Sequence, residues 1–397
     1  MSLYSNKSSG RSAWSLSNVR WFAMDWHIFI LAGILLGAGM LFLGAMDGAD
    51  DAHLRLAGGV NYSGHREKVL LTLPLIFVGM LLRPGWVKRY SPLLYTGSIA
   101  LLFAVMFVGN ERNNARRWIQ LPKFDLQPSE LAKLGLILIL ARLLASNRLE
   151  RGRDWILPLA VAALPMLLVA VQPDLGTAMT LIPITLGMLY LAGARASVLC
   201  GFVLCGVLMG VGAHSAGLVK DYQWRRVETW AASYQPDDLI AMRNGSGYHQ
   251  YQSRLTIGNG GLWGRGLGQG VANSAGHLPE RDSDSIFAVI AEEGGFLGAA
   301  LLLVLYSALV LFLMLSAASL RDRFSRLVVG GIAIYFGAHV FIHVAVNVGL
   351  LPMTGLTLPL ISAGGSSLLT TFLALGLALG LGSHHQRNLD QDAFRSY

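Results

Sequence analysis

Residues 286–316 read IFAVIAEEGGFLGAALLLVLYSALVLFLMLS. An α-helix needs about 20 mainly apolar residues to cross a hydrocarbon layer, and this run exceeds that length with no Lys or Arg in it. A helix apolar around its whole circumference is either the centre of a large core or a membrane span. Reading outward from it, further apolar runs occupy 27–46, 69–84, 92–109, 131–146, 155–171, 177–193, 196–218, 327–348 and 357–382, separated by charged or Gly/Pro-rich breaks. The expected fold is an all-α polytopic membrane protein with ten transmembrane helices and a large extracytoplasmic loop, 219–285, between helices 7 and 8.

Composition agrees with that reading. The chain has 397 residues, of which 53% are hydrophobic and 14% charged, against about 25% charged in a typical soluble domain. Most residues fall in spans, so 1–397 reads as one membrane domain, flanked by a cytoplasmic N-terminal segment 1–26 and a cytoplasmic tail 383–397. No cleavable signal is evident, because the first apolar run follows polar and basic sequence and is long enough to span. Cys200 and Cys205 both fall inside an apolar segment, which gives neither a disulfide framework nor a zinc-finger spacing and predicts packing roles. No nucleic-acid partner is expected.

Ten spans put both termini on one side, and basic residues in short loops mark the cytoplasm. Lys7, Arg11 and Arg20 agree in this with Arg83, Lys88 and Arg89, with Arg148, Arg151 and Arg153, with Arg195, with Arg321, Arg323 and Arg326, and with Arg387. Two outward segments break the pattern. The long loop 219–285 carries Lys220, Arg225, Arg226, Arg243, Arg254, Arg265 and Arg281, but long loops translocate regardless of charge. The stretch 110–133 is short and still carries Arg112, Arg116, Arg117, Lys123 and Lys133. Basic residues held at the outer membrane surface suit either lipid headgroups or an anionic ligand such as a diphosphate.

The segment NNARRWIQLPKFDLQPSELAKL (113–134) reads as an interfacial or re-entrant element running into a helix. Pro128 suits a first helical turn, and Glu130 and Lys133, three apart, lie close enough on its surface to pair. That pair either locks the helix mouth or holds Lys133 against a phosphate, with Gln127 and Ser129 as neutral donors. In QPDLGT, Asp174 either caps the next helix or faces a ligand. The stretch GSGYHQYQSRLTIGNGGLWGRGLGQG brings glycines, amides and hydroxyls, among them Gln252 and Ser253, to a loop whose backbone can approach a ligand closely. LPERDSDSIFAVIAEEGG then sets Glu280, Arg281, Asp282 and Asp284 directly before the apolar run that opened this reading. Asp284 is placed either to cap that helix or to act as a general base at the lip of a half-enclosed cavity, with Asp282 and Glu280 as competitors. Glu292 and Glu293 lie inside the span, so at least one should face protein. His339, His343 and Asn347 recur every four residues as a polar stripe, better suited to interhelical hydrogen bonds than to zinc, which lacks a third ligand. The small-residue break at Ser362, Gly364, Gly365, Ser366 and Ser367 frees backbone groups that must be buried in protein or line a cavity.

The ordered set NNARRWIQLPKFDLQPSELAK, QPDLGTA, YHQYQSRLTIGNGGLWGRGLG, LPERDSDSIFAVIAEE and NVGLLPMTGLTLPLISAGGSSLL resembles the SEDS family (shape, elongation, division and sporulation), of the RodA and FtsW type. The resemblance covers about residues 27–383. It implies a peptidoglycan glycosyltransferase, an inverting hexosyltransferase that polymerises lipid II on the outer face of a bacterial inner membrane. The family's essential aspartate falls on Asp284, although Asp282 and Ser283 stand where the family usually has His and Thr. Its functional Glu and Lys fall on Glu130 and Lys133, and Ala363 replaces an aromatic, usually Tyr, before the GGSS run.

In the implied chemistry Asp284 takes the proton of a sugar 4-hydroxyl and undecaprenyl diphosphate leaves. Arg116, Arg117, Lys133 and Arg281 are the candidate cations for that diphosphate, and Gln127, Ser129, Gln252, Ser253 and Ser366 the candidate polar contacts. No cofactor is dictated by the sequence; a divalent cation, Mg or Mn, is compatible with the diphosphate. The resemblance also implies a class B penicillin-binding protein as transpeptidase partner, since no serine–lysine acyl-transfer motif is present, together with other elongation or division complex proteins. The LPER form, the QPDLGT turn and the short termini lean to RodA, and GLTLPLIS to FtsW. A division-septum polymerase, a lipid II flippase or transporter, and a non-enzymatic wall-synthesis scaffold are the alternatives.

Overall fold

In lipid the backbone must satisfy its own hydrogen bonds, so the apolar runs form helices. The computed structural model describes residues 24–50, 59–112, 115–121, 125–147, 149–172, 174–215, 217, 221–234, 245, 247–271 and 276–384. The expected N-terminal segment 1–26 and tail 383–397 lie almost wholly outside the described residues, as do parts of the 219–285 loop. In chain order the helices are α1 (Trp26–Ala49), α2 (Tyr62–Thr72), α3 (Pro74–Leu81), α4 (Pro84–Val108), α5 (Pro128–Ser146), α6 (Ile156–Val171) and α7 (Leu175–Leu191). They continue with α8 (Ala196–Ser215), α9 (Asp221–Ala232), α10 (Tyr248–Asn259), α11 (Ile286–Ser319), α12 (Arg323–Asn347) and α13 (Gly365–His384).

Six of the described helical segments are long and apolar enough to cross a membrane: α1, α4, Gly152–Val171, α11, α12 and Gly365–Ser383. Gly176–Leu191 and Ala196–Gly212 are shorter apolar helices. The expected span at 131–146 corresponds to α5, whose apolar run is interrupted by Glu130, Lys133 and Arg142. The one at 69–84 is divided between α2 and α3 at Pro74, which has no N–H to give and a φ suited to starting a helix. The chain is a multi-pass membrane protein.

α12 forms the centre, packed against α11, α7, α5 and α13. Its Phe324, Tyr335 and Phe336 are fully buried, whereas Phe103 and Phe107 on α4, Leu204 and Leu208 on α8, and Leu301 and Val304 on α11 point outward. Outward apolar faces are what hydrocarbon covers. α13 approaches α3 backbone to backbone: a Cβ on Gly376 would lie 2.2 Å from the Ile76 carbonyl oxygen. Only small residues permit such a crossing, which supplies the van der Waals contact that holds membrane helices together. α11 kinks at Gly295 (φ 66°, ψ −170°). The backbone groups freed there are taken up by the glycine-rich loop after α10, through Phe296 N to Gly261 O (2.9 Å) and Gly266 N to Glu293 O (3.0 Å).

Three expectations need correction. The fold is mostly helical, but it adds a small antiparallel sheet that the helical expectation omits, of β1 (Asn110–Arg112), β2 (Ala115–Gln120) and β3 (Asp125–Leu126), in that order. Asn110 pairs with Trp118 and Ile119 with Leu126. Trp118 and Ile119 favour a half-buried strand, and this segment precedes the helix start fixed by Pro128. The last expected span, 357–382, becomes helical only at Gly365, where α13 begins. Pro359 and the positive φ of Leu360 (71°) forbid a helix before it, and the Ser362 hydroxyl takes the Leu358 N–H instead (2.7 Å). Cys200 and Cys205 are exposed rather than packed, because α8 meets α7 lightly and turns most of its surface outward.

Candidate active site

Asp284 sits one residue before the N-cap Ser285 of α11, in a tight loop where Ser283 N and Ser285 N both donate to Glu280 O (3.1 Å each). Glu280 adopts φ 46°, which the turn imposes. Two other elements grip the loop. From α12, Asn347 Nδ2 donates to the Asp284 carbonyl at 3.0 Å. From the irregular segment 351–364, Ser362 Oγ donates to Ser283 O (2.7 Å) and Ala363 N to Asp282 O (2.8 Å). Ala363 makes this contact through its backbone. Gly355, at φ 72°, leaves room for the carboxylate: a Cβ there would stand 3.3 Å from Asp284 Oδ2.

The Asp284 carboxyl is pushed up to about 7, first by burial, then by the negative charges of Glu280 and Asp282, with Arg226 pulling downward and Asp174 adding to the rise. A carboxyl tuned near neutrality takes up a proton readily at physiological pH. Asp282 is also raised, mainly by burial and then by Glu280. His249 on α10 shares a 2.6 Å hydrogen bond with Ser285 Oγ, and burial followed by the Arg226 charge lowers it to about 4, so it is neutral at pH 7.

A second cluster gathers at the N-terminus of α5. Asp174 caps α7 by accepting from Thr177 N (3.2 Å) and also accepts from Gln127 Nε2 (3.1 Å) and Ser129 Oγ (3.4 Å). Arg117 donates through Nε to Gln172 O (2.8 Å) and stands 3.8 Å from Asp174. Ser366 bridges backbone, accepting from Gln127 N (2.8 Å) and donating to Asp125 O (2.6 Å). One turn deeper, Lys133 is fully buried and donates to Glu130 Oε1 (2.7 Å) and to His339 Nε2 (2.9 Å), over the Tyr335 ring. The α12 stripe thus reaches Lys133 through His339, the irregular segment through His343 Nδ1 and Leu356 O (2.7 Å), and Asp284 through Asn347.

The expected ligands are divided by this geometry. Gln127, Ser129, Glu130, Lys133, Arg117 and Ser366 come together, held by one another and by Asp174, Gln172, His339 and Asp125. Arg116 is exposed on β2. Ser253 is buried and its hydroxyl has no hydrogen-bond partner among the described residues, while Gln252 is half-buried on α10. Arg281 lies in a buried ion pair with Asp50 at the end of α1 (2.6 Å), and Asp50 also accepts from Val60 N (2.9 Å). Glu292 and Glu293 are both buried. Sequence reading did not single out Arg226, Arg254, His249 or Asp50. Arg226 donates to Met353 O (3.1 Å), and Arg254 to Ser233 O (2.7 Å) and Gly349 O (3.1 Å), so both join the 219–285 loop to the segment around Asp284. Only the excess of arginine in that loop hinted at them. Among the described residues no group of three or more His, Cys, Asp or Glu side chains is gathered as a metal site.

Comparison with known proteins agrees with the architecture. Residues 25–387 match the family model for the FtsW, RodA and SpoVE cell cycle proteins. The chain is 35% identical over 386 residues to a probable peptidoglycan glycosyltransferase FtsW of Tolumonas auensis, covering 94% of this chain and 96% of that protein. It is 33% identical over 320 residues to the peptidoglycan glycosyltransferase MrdB of Escherichia coli K12, covering 80% and 85%. Among solved structures it matches a chain from a study of how a peptidoglycan synthase complex coordinates polymerisation and crosslinking (TM-score 0.77, 31% identity, 93% of this chain and 100% of that one). It also matches the rod shape determining protein RodA of Thermus thermophilus (TM-score 0.65, 30% identity, 95% and 99%). The chain belongs to the SEDS family, the FtsW, RodA and SpoVE group of cell cycle proteins.

Proposed function

We propose that this chain is a peptidoglycan glycosyltransferase that polymerises lipid II, with ten membrane crossings in a bacterial inner membrane, both termini cytoplasmic and the 219–285 loop outside. The observation that carries the reading is Asp284, a carboxyl poised near neutrality and fixed through its backbone by α12 and the 351–364 segment. The relatives named as peptidoglycan glycosyltransferases support the substrate class.

In this mechanism Asp284 accepts the proton of the acceptor sugar's 4-hydroxyl as its oxygen attacks the anomeric carbon of the growing glycan. The new C–O bond forms as the anomeric carbon–phosphate oxygen bond breaks, and undecaprenyl diphosphate leaves with the electron pair. A single displacement inverts the anomeric centre. Arg226, whose charge already acts on Asp284, is the cation best placed to face the diphosphate, whereas Lys133 serves as a buried positioning residue.

The synthase complex among the structural matches supports a class B penicillin-binding protein as crosslinking partner. Elongation is the cellular process we assign, on the RodA-like motifs and the RodA structural match. Relatives named FtsW at 35–37% identity favour the second reading, division. Depletion in cells separates them: rounding indicates elongation, and filamentation indicates division. The enzymatic test is lipid II polymerisation by the purified protein with its partner. Wild type makes glycan strands and Asp284→Asn, equally folded, makes none. Full polymerisation by Asp284→Asn would shift the base to Glu280 or Asp282, and no polymer from wild type would favour a flippase or scaffold.

A further inference from the structure

At the end of the molecule opposite Asp284, the first turns of α4 and the last of α5 border an open surface cavity of about 520 Å³ lined by Gly85, Lys88, Arg89, Arg142, Ala145 and Ser146. Arg142 reaches across the helix pair and donates through one nitrogen to the carbonyls of Lys88 and Arg89 (3.3 Å to Arg89), which fixes its guanidinium at the cavity wall. Lys88 lies over the Phe324 ring at 5.9 Å and Arg89 over the Tyr90 ring at 5.7 Å. Among the described residues none of these three cations forms an ion pair with a carboxylate. The carboxylate that feels Lys88, Asp322, is occupied as the cap of α12, accepting from Ser325 N (2.9 Å) and Oγ (2.7 Å). Nearby Arg323 is used differently, donating to Asn147 O and Ala192 O (3.0 Å each).

The surroundings indicate what kind of anion fits. One turn along α4 from the cations, Leu93 and Leu94 are exposed at 65% and 41%, on a helix that crosses the membrane. Trp86 and Tyr90, with ring centroids 4.5 Å apart, lie at the same level as the cations, where amphipathic rings mark a membrane–water boundary. A ligand here meets three positive charges at its head and bare apolar helix beside it. We propose that this cavity binds the phosphate headgroup of an anionic phospholipid, its acyl chains lying along the outer face of α4. In the proposed topology the lipid belongs to the cytoplasmic leaflet, and the site is separate from the chemistry at Asp284.

The test uses the full-length protein in nanodiscs of phosphatidylglycerol or phosphatidylcholine, with co-purifying lipid read by native mass spectrometry. Wild type retains phosphatidylglycerol and not phosphatidylcholine. Lys88→Gln/Arg89→Gln loses roughly fivefold in retention for each charge removed, and the charge-conserving Lys88→Arg/Arg89→Lys keeps it. Should the double variant unfold, each single variant reads its own share. Inorganic phosphate leaves the bound lipid in place if the tails contribute; displacement at millimolar phosphate identifies a free-anion site and overturns the lipid assignment. Equal retention of phosphatidylglycerol by wild type and Lys88→Gln/Arg89→Gln overturns the site altogether.

Discussion

Asn347 Nδ2 donates to the backbone carbonyl of Asp284 at 3.0 Å while also reaching His343 O at 2.9 Å, so the central helix holds the main chain of the candidate base directly. Asn347→Leu keeps the volume and removes both bonds; His343 O retains its helical backbone donor, whereas the part-buried Asp284 carbonyl loses this one, at about 1–3 kcal/mol. A displacement of order 1 Å in a catalytic group lowers rate about a hundredfold. The expected result is a tenfold to hundredfold loss of polymerisation rate with lipid II binding retained, measured as initial rate against substrate concentration.

The elevated Asp284 carboxyl sets a pH dependence. A general base works only when deprotonated, so polymerisation should climb about tenfold per pH unit below 7 and level off above it. Glu280→Gln removes a negative neighbour and should move that limb to lower pH, whereas Arg226→Gln removes a positive one and should move it higher. For folding the sign is opposite to that of activity. The folded carboxyl keeps its proton to higher pH than the unfolded one, so its contribution to stability falls as pH rises from about 4 to about 7. Rate–pH profiles of the three proteins check the limb, and an unmoved limb in both variants removes Asp284 as its source.

Lys133, for which the sequence leaves both a helix-locking pair and a phosphate contact open, is buried between Glu130 and His339. Breaking a buried pair by removing one partner costs about 3–5 kcal/mol, while replacing both with apolar groups costs far less. Lys133→Met and Glu130→Gln should each lower the melting temperature in detergent, and Lys133→Met/Glu130→Leu should recover much of the loss. A Lys133→Met protein that melts like wild type but loses affinity for lipid II would return the lysine to the substrate.

Much of this was legible in the sequence because membrane burial leaves a one-dimensional trace. The apolar runs located the helices, the four-residue stripe His339–His343–Asn347 announced a polar seam, and the Asp174 cap followed from its place before an apolar run. What stayed hidden depended on chain crossings. Nothing local to Arg281 indicates that Asp50, 231 residues away, will claim it. The strands at 110–126 are too short for periodicity to register, and the cysteines of α8 read as packed because lipid-facing and core-facing apolar residues look alike.

The Arg281–Asp50 pair separates two roles for an arginine in the loop that carries Asp284. If it positions the loop, Arg281→Ala and Asp50→Ala break the same 2.6 Å contact, and the two losses should be similar. The double variant should then be little worse than either single one, because residues in contact are not additive. If Arg281 instead met the diphosphate, Asp50→Ala would spare most of the rate and the double variant would show the arginine's loss alone, concentrated in the chemical step. Initial polymerisation rates and melting temperatures for all four proteins form the cycle. A coupling above about 1 kcal/mol in stability, with parallel changes in rate, is the outcome expected of a loop anchored to α1.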